Sequence, residues 1–453
     1  MAPTTKKPRL LFSAFPLEGH TFPLLCAAGY LVNQGYEVVF VAGKQFEERI
    51  VAIGAEWLPL AGPDENTPLT TQFQEVLAMP IDIIRNGLLL TLVFYNTLLY
   101  RVNSMVAAME TVKKRDPERE IILVEDIINM TLQPFAYGRP LPEGYTSMPK
   151  TVGISPTALV HESVDIGPTG LGLLPDSSEG GRERNKHLSY LLRRGAQPFF
   201  ASWKQAITDC GGTQEPTGHP MTAWFTSYDR VIMLCSPGCE FQTSDIPPAV
   251  RFAGCLPRRD IGPNRVNPPW WPELLANAAL GDARKKVIFA TQGTWNKDLS
   301  QMLYPVFEAV GGRDDCILIA TLGATGDKLS DDVKVPANTW ITDYISYDVI
   351  LEYTDVFIAN GGYGAFSHAV MNGVPAVFAG LADDKLEVCR RAEYAGFAYN
   401  IRTQLPTAEM IRVGVDEVLS NPKYKQRAVE LRKENEEMDC LSSIQKIIED
   451  ISK

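Results

Sequence analysis

Short apolar runs alternate with longer stretches of helical spacing along most of this chain. The short runs are continuous rather than alternating, as expected of parallel strands buried on both faces. In the first half they predict strands over 9–14, 37–42, 56–60, 121–124, 151–154, 231–235 and 250–254. A helix is predicted over 24–34, stopped by Gly35, and the 69–109 stretch reads as long, apolar and helical. Residues 16–23 read as the loop closing the first strand, and the polar, glycine-rich 175–187 as a mobile loop. In the second half strands are predicted over 286–290, 316–320, 339–341, 355–359 and 376–379. Helices are predicted over 301–311, 347–353, 407–419 and, long and charged, 423–449. Strand–helix alternation in both halves predicts an α/β protein of two Rossmann-like, doubly wound domains facing across a cleft. Expected boundaries are 1–254 for the first domain, a proline-rich linker at 255–282 and 283–435 for the second. A terminal helix within 436–453 is expected to pack back towards the first domain.

Length and composition narrow the class. At 453 residues the chain exceeds one ordinary core, and its 45% hydrophobic and 21% charged content fits a globular protein. A net charge of -11 argues against a nucleic-acid or anionic-membrane surface. The start of the chain lacks a signal-peptide pattern, and no apolar run reaches the ~20 residues of a membrane span. The 8 cysteines are scattered, and only Cys235 and Cys239 stand close, with no second pair or histidine beside them. They read as buried free thiols of a cytoplasmic protein.

One stretch carries chemistry. The apolar run 355–359 is followed by Asn360-Gly361-Gly362-Tyr363-Gly364-Ala365, then a helix through Asn372, a stop at Gly373-Val374-Pro375 and a new strand. Backbone amides at a glycine turn opening a helix form an anion pocket suited to a phosphate. The same pattern also serves as a plain connection between strand and helix. Near the other end of the chain, His20 in Gly19-His20-Thr21-Phe22-Pro23 directly follows the first strand, where doubly wound sheets gather ligands. A neutral histidine suits general-base work near pH 7. Glu125 and Asp126 stand at the end of the 121–124 strand, and a carboxylate behind such a base fixes its tautomer.

As a set, these residues resemble the UDP-sugar-dependent glycosyltransferases of family 1, the two-Rossmann, GT-B-type enzymes acting on small molecules. Gly362, Gly373, Val374, Pro375 and Asp383 stand in register with that family's donor signature, and Gly19-His20 with its Gly-His-x-x-Pro loop. The resemblance implies an inverting, metal-independent hexosyl transfer, with His20 as base and Asp126 as its partner. It implies donor contacts at Gly19, Gly293, Thr294, Tyr344, Ile345, Asn360, Gly362, Tyr363, Gly364, Ala365, His368, Asp383 and Asp384. It assigns acceptor binding to the first domain and the nucleotide sugar to the second. The sequence departs from the family at Asn360 (a histidine there), His368 (a glutamate), Asp384 (a glutamine) and Ser346-Tyr347 (Pro-Gln). These departures bear on donor identity more than on fold.

The co-substrate expected is a UDP-sugar, UDP-glucose by default, with no further cofactor and no metal, since no Asp-x-Asp motif is present. The apolar 69–109 stretch, with Phe73, Leu77 and Phe94, suggests a small, lipophilic, hydroxylated acceptor. Two alternatives stand beside this reading: a nucleotide-sugar epimerase or hydrolase on the same fold, and a non-catalytic binding protein with a degraded donor site.

Overall fold

The computed structural model of the protein describes residues 6–62, 74–80, 83–259, 267–293 and 298–452. The chain forms two compact units, Met1–Leu234 with Gln242–Ala253 and Asp439–Lys453, and Cys235–Phe241 with Gly254–Met438.

In the first unit the strands are β1 (Arg9–Ser13), β2 (Val38–Ala42), β3 (Glu56–Pro59), β4 (Ile121–Asp126), β5 (Lys150–Ser155), β6 (Arg230–Met233) and β7 (Val250–Phe252). They make one parallel sheet of order β3-β2-β1-β4-β5-β6-β7. The order reverses between β1 and β4, where Ser13 pairs with Glu125, so the carboxyl ends of these two strands open side by side. Leu10, Leu11, Phe12, Ile122, Leu123 and Val124 are fully buried, which explains their unbroken apolar runs.

The second unit repeats the plan. Its strands are β8 (Lys286–Thr291), β9 (Cys316–Thr321), β10 (Thr339–Thr342), β11 (Val356–Ala359), β12 (Ala376–Phe378) and β13 (Ala398–Asn400). They form a parallel sheet of order β10-β9-β8-β11-β12-β13, reversing between β8 and β11, where Thr291 pairs with Ala359. Two Rossmann-like domains are thus present, each with a switch point.

Several expectations are corrected. Residues 16–23 are not all loop: the first helix runs Glu18–Asn33 with Pro23 inside it, so His20 lies in its first turn. Pro23 is the sixth residue of this helix, so it forgoes the one bond its amide would have made to the Gly19 carbonyl. The stretch 175–187 is not a loop from 179 onwards, because Ser178 caps a helix Glu179–Gly195 by accepting from the Gly181 amide. The apolar 69–109 stretch is interrupted: short helices Gln74–Leu77 and Ile83–Leu89 lead into a wide π turn at Leu90–Tyr95, then Leu98–Arg115. Within the expected linker, Trp271–Ala279 is a helix with Trp271 and Leu274 buried, and Trp270 stacks on Trp340 at 5.5 Å. The single helix over 423–449 is two, Pro422–Met438 and Cys440–Ile451, broken at Asp439 with φ +46°. No helix among the described residues is long and apolar enough to cross a membrane.

Candidate active site

In the first unit the switch point brings His20 and Asp126 together. His20 Nδ1 lies 3.1 Å from Asp126 Oδ2, with the imidazole 21% exposed and the carboxylate fully buried. The distance is that of an ion pair, although the ring nitrogen is not aligned for a good hydrogen bond. The backbone holds Asp126: the Phe15 amide donates to Oδ2 at 3.4 Å and the Ile128 amide to Oδ1 at 3.3 Å. Phe15 also packs edge-on to the His20 ring, centroids 6.4 Å apart, and against Phe94 at 4.8 Å. Phe94 is thereby placed beside the dyad. Phe73 and the Leu77 side chain lie outside the described residues.

Glu125 and Asp126 are consecutive in a strand, so their side chains leave opposite faces. Glu125 therefore turns from His20 into the interior. It accepts from the Thr131 amide at 2.8 Å, the Leu132 amide at 3.2 Å and the Tyr228 hydroxyl at 2.8 Å. Burial lifts its carboxyl from 4.5 to about 7, and these donors only partly offset the rise. A raised carboxyl favours the folded state in its protonated form. That contribution is complete below about 4.5 and is withdrawn as pH climbs to about 7. Glu125→Gln is expected to remove this slope. Relative to the parent, the variant should gain on the order of 3 kcal/mol between about pH 4.5 and 8 in urea melts. A difference in stability that stays constant with pH would show that Glu125 ionises as readily folded as unfolded.

In the second unit the loops after β8 and β11 meet. Asn360 Nδ2 donates to the Gln292 carbonyl at 2.6 Å, tying one loop to the other. A Cβ on Gly293 would lie 3.7 Å from Asn360 Nδ2, and one on Gly362 3.9 Å from Asn360 Oδ1, so these three share one small space. Thr294 lies outside the described residues. Gly361 has φ +72°, and a Cβ there would stand 2.1 Å from Cys389 Sγ, so this turn admits only glycine. Helix Tyr363–Asn372 follows, and its first backbone bond is from the Phe366 amide to the Gly362 carbonyl at 3.1 Å. The amides of Tyr363, Gly364 and Ala365 precede that bond, and no side chain caps them. They lie where the sequence reading expects an anion to be bound. The Tyr363 ring is buried and stacks on Phe366 at 5.7 Å, so at this helix start the residue presents only its backbone.

The remaining donor-side residues are placed as follows. Tyr344 is 51% exposed, while Ile345 is buried. Asp383 has φ +57°, a strained geometry for a non-glycine residue, and its carboxylate meets Lys385 Nζ at 3.0 Å. Asp384 flanks the start of helix Lys385–Ala395. His368 Nδ1 lies 2.8 Å from Asp348 Oδ1, an oxygen that also accepts from Asn372 Nδ2 at 3.1 Å. Burial would raise the Asp348 carboxyl, but His368 and these hydrogen bonds hold it down at about 2. Sequence reasoning missed Asp348 and Gln292. Asp348 lies 20 positions before His368, and no local pattern announces that pairing. Among the described residues no group of three or more His, Cys, Asp or Glu side chains is arranged to hold a metal ion.

The chain has relatives among known proteins. Residues 305–451 match the family described as erythromycin biosynthesis protein CIII-like, C-terminal domain. The chain is 37% identical over 444 residues to UDP-glucosyltransferase 1 of Beauveria bassiana, covering 97% of this chain and 94% of that one. It is 30% identical over 470 residues to UDP-glucosyltransferase A1 of Starmerella bombicola, covering 100% of this chain and 94% of that one. In fold it is similar to the crystal structure of the glycotransferase of kitacinnamycin, with a TM-score of 0.70 at 19% identity over 98% of this chain and 99% of that one.

Proposed function

The chain belongs to the family 1 UDP-glycosyltransferases, and within this family we propose that it moves glucose from UDP-glucose to a hydroxyl of a small lipophilic acceptor, with inversion. Transfer of a sugar from a UDP-sugar is the activity of its relatives at 37% and 30% identity. The observation that carries the finer reading is the pair of His20 and buried Asp126 at the switch point of the first sheet. Asp126 favours the tautomer with the proton on Nδ1, which leaves Nε2 to take the proton from the acceptor hydroxyl. As that proton moves, the acceptor oxygen forms its bond to the anomeric carbon from the face opposite UDP. The bond from that carbon to the diphosphate oxygen breaks, and its electron pair leaves on UDP. In this reading the amides of Tyr363, Gly364 and Ala365 receive the growing negative charge, a task that preorganised donors perform without a metal. Glucose is supported by the names of both relatives, and a lipophilic acceptor by the Phe15–Phe94 wall beside His20. Among the described residues the cysteines form no disulfide, which supports a reducing, cytoplasmic setting.

The test is UDP release from the purified protein with UDP-glucose and a mixed panel of phenols, flavonoids, sterols and hydroxy fatty acids. Release that depends on an acceptor is expected. Release without acceptor would overturn transfer in favour of hydrolysis or epimerisation. No release, with UDP still protecting the protein against heat, would overturn glucose as the sugar.

A further inference from the structure

The interior of the first unit holds a charge that the reaction scheme does not use. Arg101, in helix Leu98–Arg115, is only 3% exposed. Among the described residues no carboxylate stands at ion-pair distance from it, and its donors go to the backbone and a hydroxyl. Nη2 donates to the Phe94 carbonyl at 2.6 Å, Nε to the Asn129 carbonyl at 3.2 Å, and Nη1 to Thr97 Oγ1. The guanidinium carbon lies 4.9 Å from the centre of the Phe15 ring. Phe94 sits in the π turn Leu90–Tyr95, just before helix Leu98–Arg115 begins, so its carbonyl has lost the regular helical partner. Arg101 supplies that partner from the next helix.

These contacts converge on the dyad. Phe15, under the guanidinium, donates its amide to the same Asp126 oxygen that faces His20 Nδ1. Phe94, held by its carbonyl, packs its ring on Phe15. Asn129 stands in the turn just after Asp126, the turn whose Ile128 amide binds the other Asp126 oxygen. One planar fork therefore ties together the strand end, the π turn and the turn after β4. A guanidinium is suited to this, because its five donors are fixed in one plane and its face stacks on aromatic rings.

We propose that Arg101 is a positioning residue for the His20–Asp126 pair, acting through Phe15, Phe94 and Asn129 rather than on substrate. The proposal rests on the reading of His20 as base. It predicts that Arg101 matters to the chemical step and hardly at all to the donor. Arg101→Met, close in length but uncharged, is expected to lower kcat about 10–100-fold at an unchanged KM for UDP-glucose and unchanged protection by UDP. A residue acting only through His20 should also lose its effect once His20 is gone. The double variant H20A/R101M should therefore turn over within about threefold of H20A.

Should R101M fail to fold, R101K, which keeps the charge and part of the bonding, enters the same cycle. Additive losses in the cycle overturn the proposal, as does a folded R101M with the kcat of the parent. H20A at full turnover is a different result: it overturns the base reading, and this proposal falls with it.

Discussion

His20→Ala is expected to cut turnover about 10²–10⁴-fold, the usual worth of a general base, with protection by UDP unchanged. The split follows from where the groups lie. His20 and Asp126 are in the first unit, whereas the glycine turn, the helix-terminal amides and Asp383 are in the second. Loss of the imidazole removes the acceptor of the hydroxyl proton and leaves those groups in place. Asp126→Asn should fall between the parent and H20A, because an amide carries no charge to stabilise the imidazolium and its NH2 must face one of the two backbone amides that bind the carboxylate. Initial rates over a range of UDP-glucose and acceptor concentrations check both variants. An H20A protein that keeps the parent's kcat would remove His20 from the mechanism, and D126N slower than H20A would contradict the supporting role given to Asp126.

Arg391→Leu is expected to destabilise the second unit by about 3–5 kcal/mol, the usual cost of removing one partner from a buried ion pair. Arg391 is 3% exposed. Its Nε meets Glu240 Oε2, its Nη1 meets Glu387 Oε2 at 2.9 Å, and the guanidinium lies 4.3 Å from the centre of the Phe241 ring. Removing it strands two carboxylates in a site built for a cation. The helix concerned, Lys385–Ala395, directly follows Asp383 and Asp384, so its loosening should also weaken UDP protection. Replacing Arg391, Glu240 and Glu387 together with leucine should recover part of the loss, since burying ions costs more than burying apolar groups of similar size. Denaturant melts with and without UDP measure this. An R391L protein within about 1 kcal/mol of the parent would mean that the two carboxylates take up protons or water instead of remaining charged and dry.

The legible parts of this molecule were those with local causes. Buried parallel strands leave continuous apolar runs, and β1, β2, β4, β5, β8, β9 and β11 were read on that basis. The glycine turn before Tyr363 and the stop at Gly373, with φ +60°, were visible because backbone geometry restricts residue choice there. Where local signals conflicted, the reading erred. Pro23 and Gly19 concealed the first turn of the first helix, and Gly180-Gly181 outweighed the capping serine of Glu179–Gly195. The long apolar stretch gave no hint of the wide turn at Leu90–Tyr95.

By itself the sequence determined two doubly wound α/β domains, a glycine turn opening a helix at 361–363, and a histidine with acidic residues at two strand ends. All of these follow from periodicity or from backbone constraints within a few residues. The resemblance pointed to Asp126, and the tertiary structure shows that it is Asp126 and not Glu125 that stands beside His20, because that depends on which face of β4 meets the histidine. The tertiary structure alone paired His368 with Asp348, joined Asn360 to Gln292 and set Arg101 beneath the dyad. Those partners come from different loops and helices, and their contacts form when the strands align and the core closes over them. A one-dimensional pattern records which residues prefer to be buried, whereas the identity of each buried group's neighbour is fixed by packing in three dimensions.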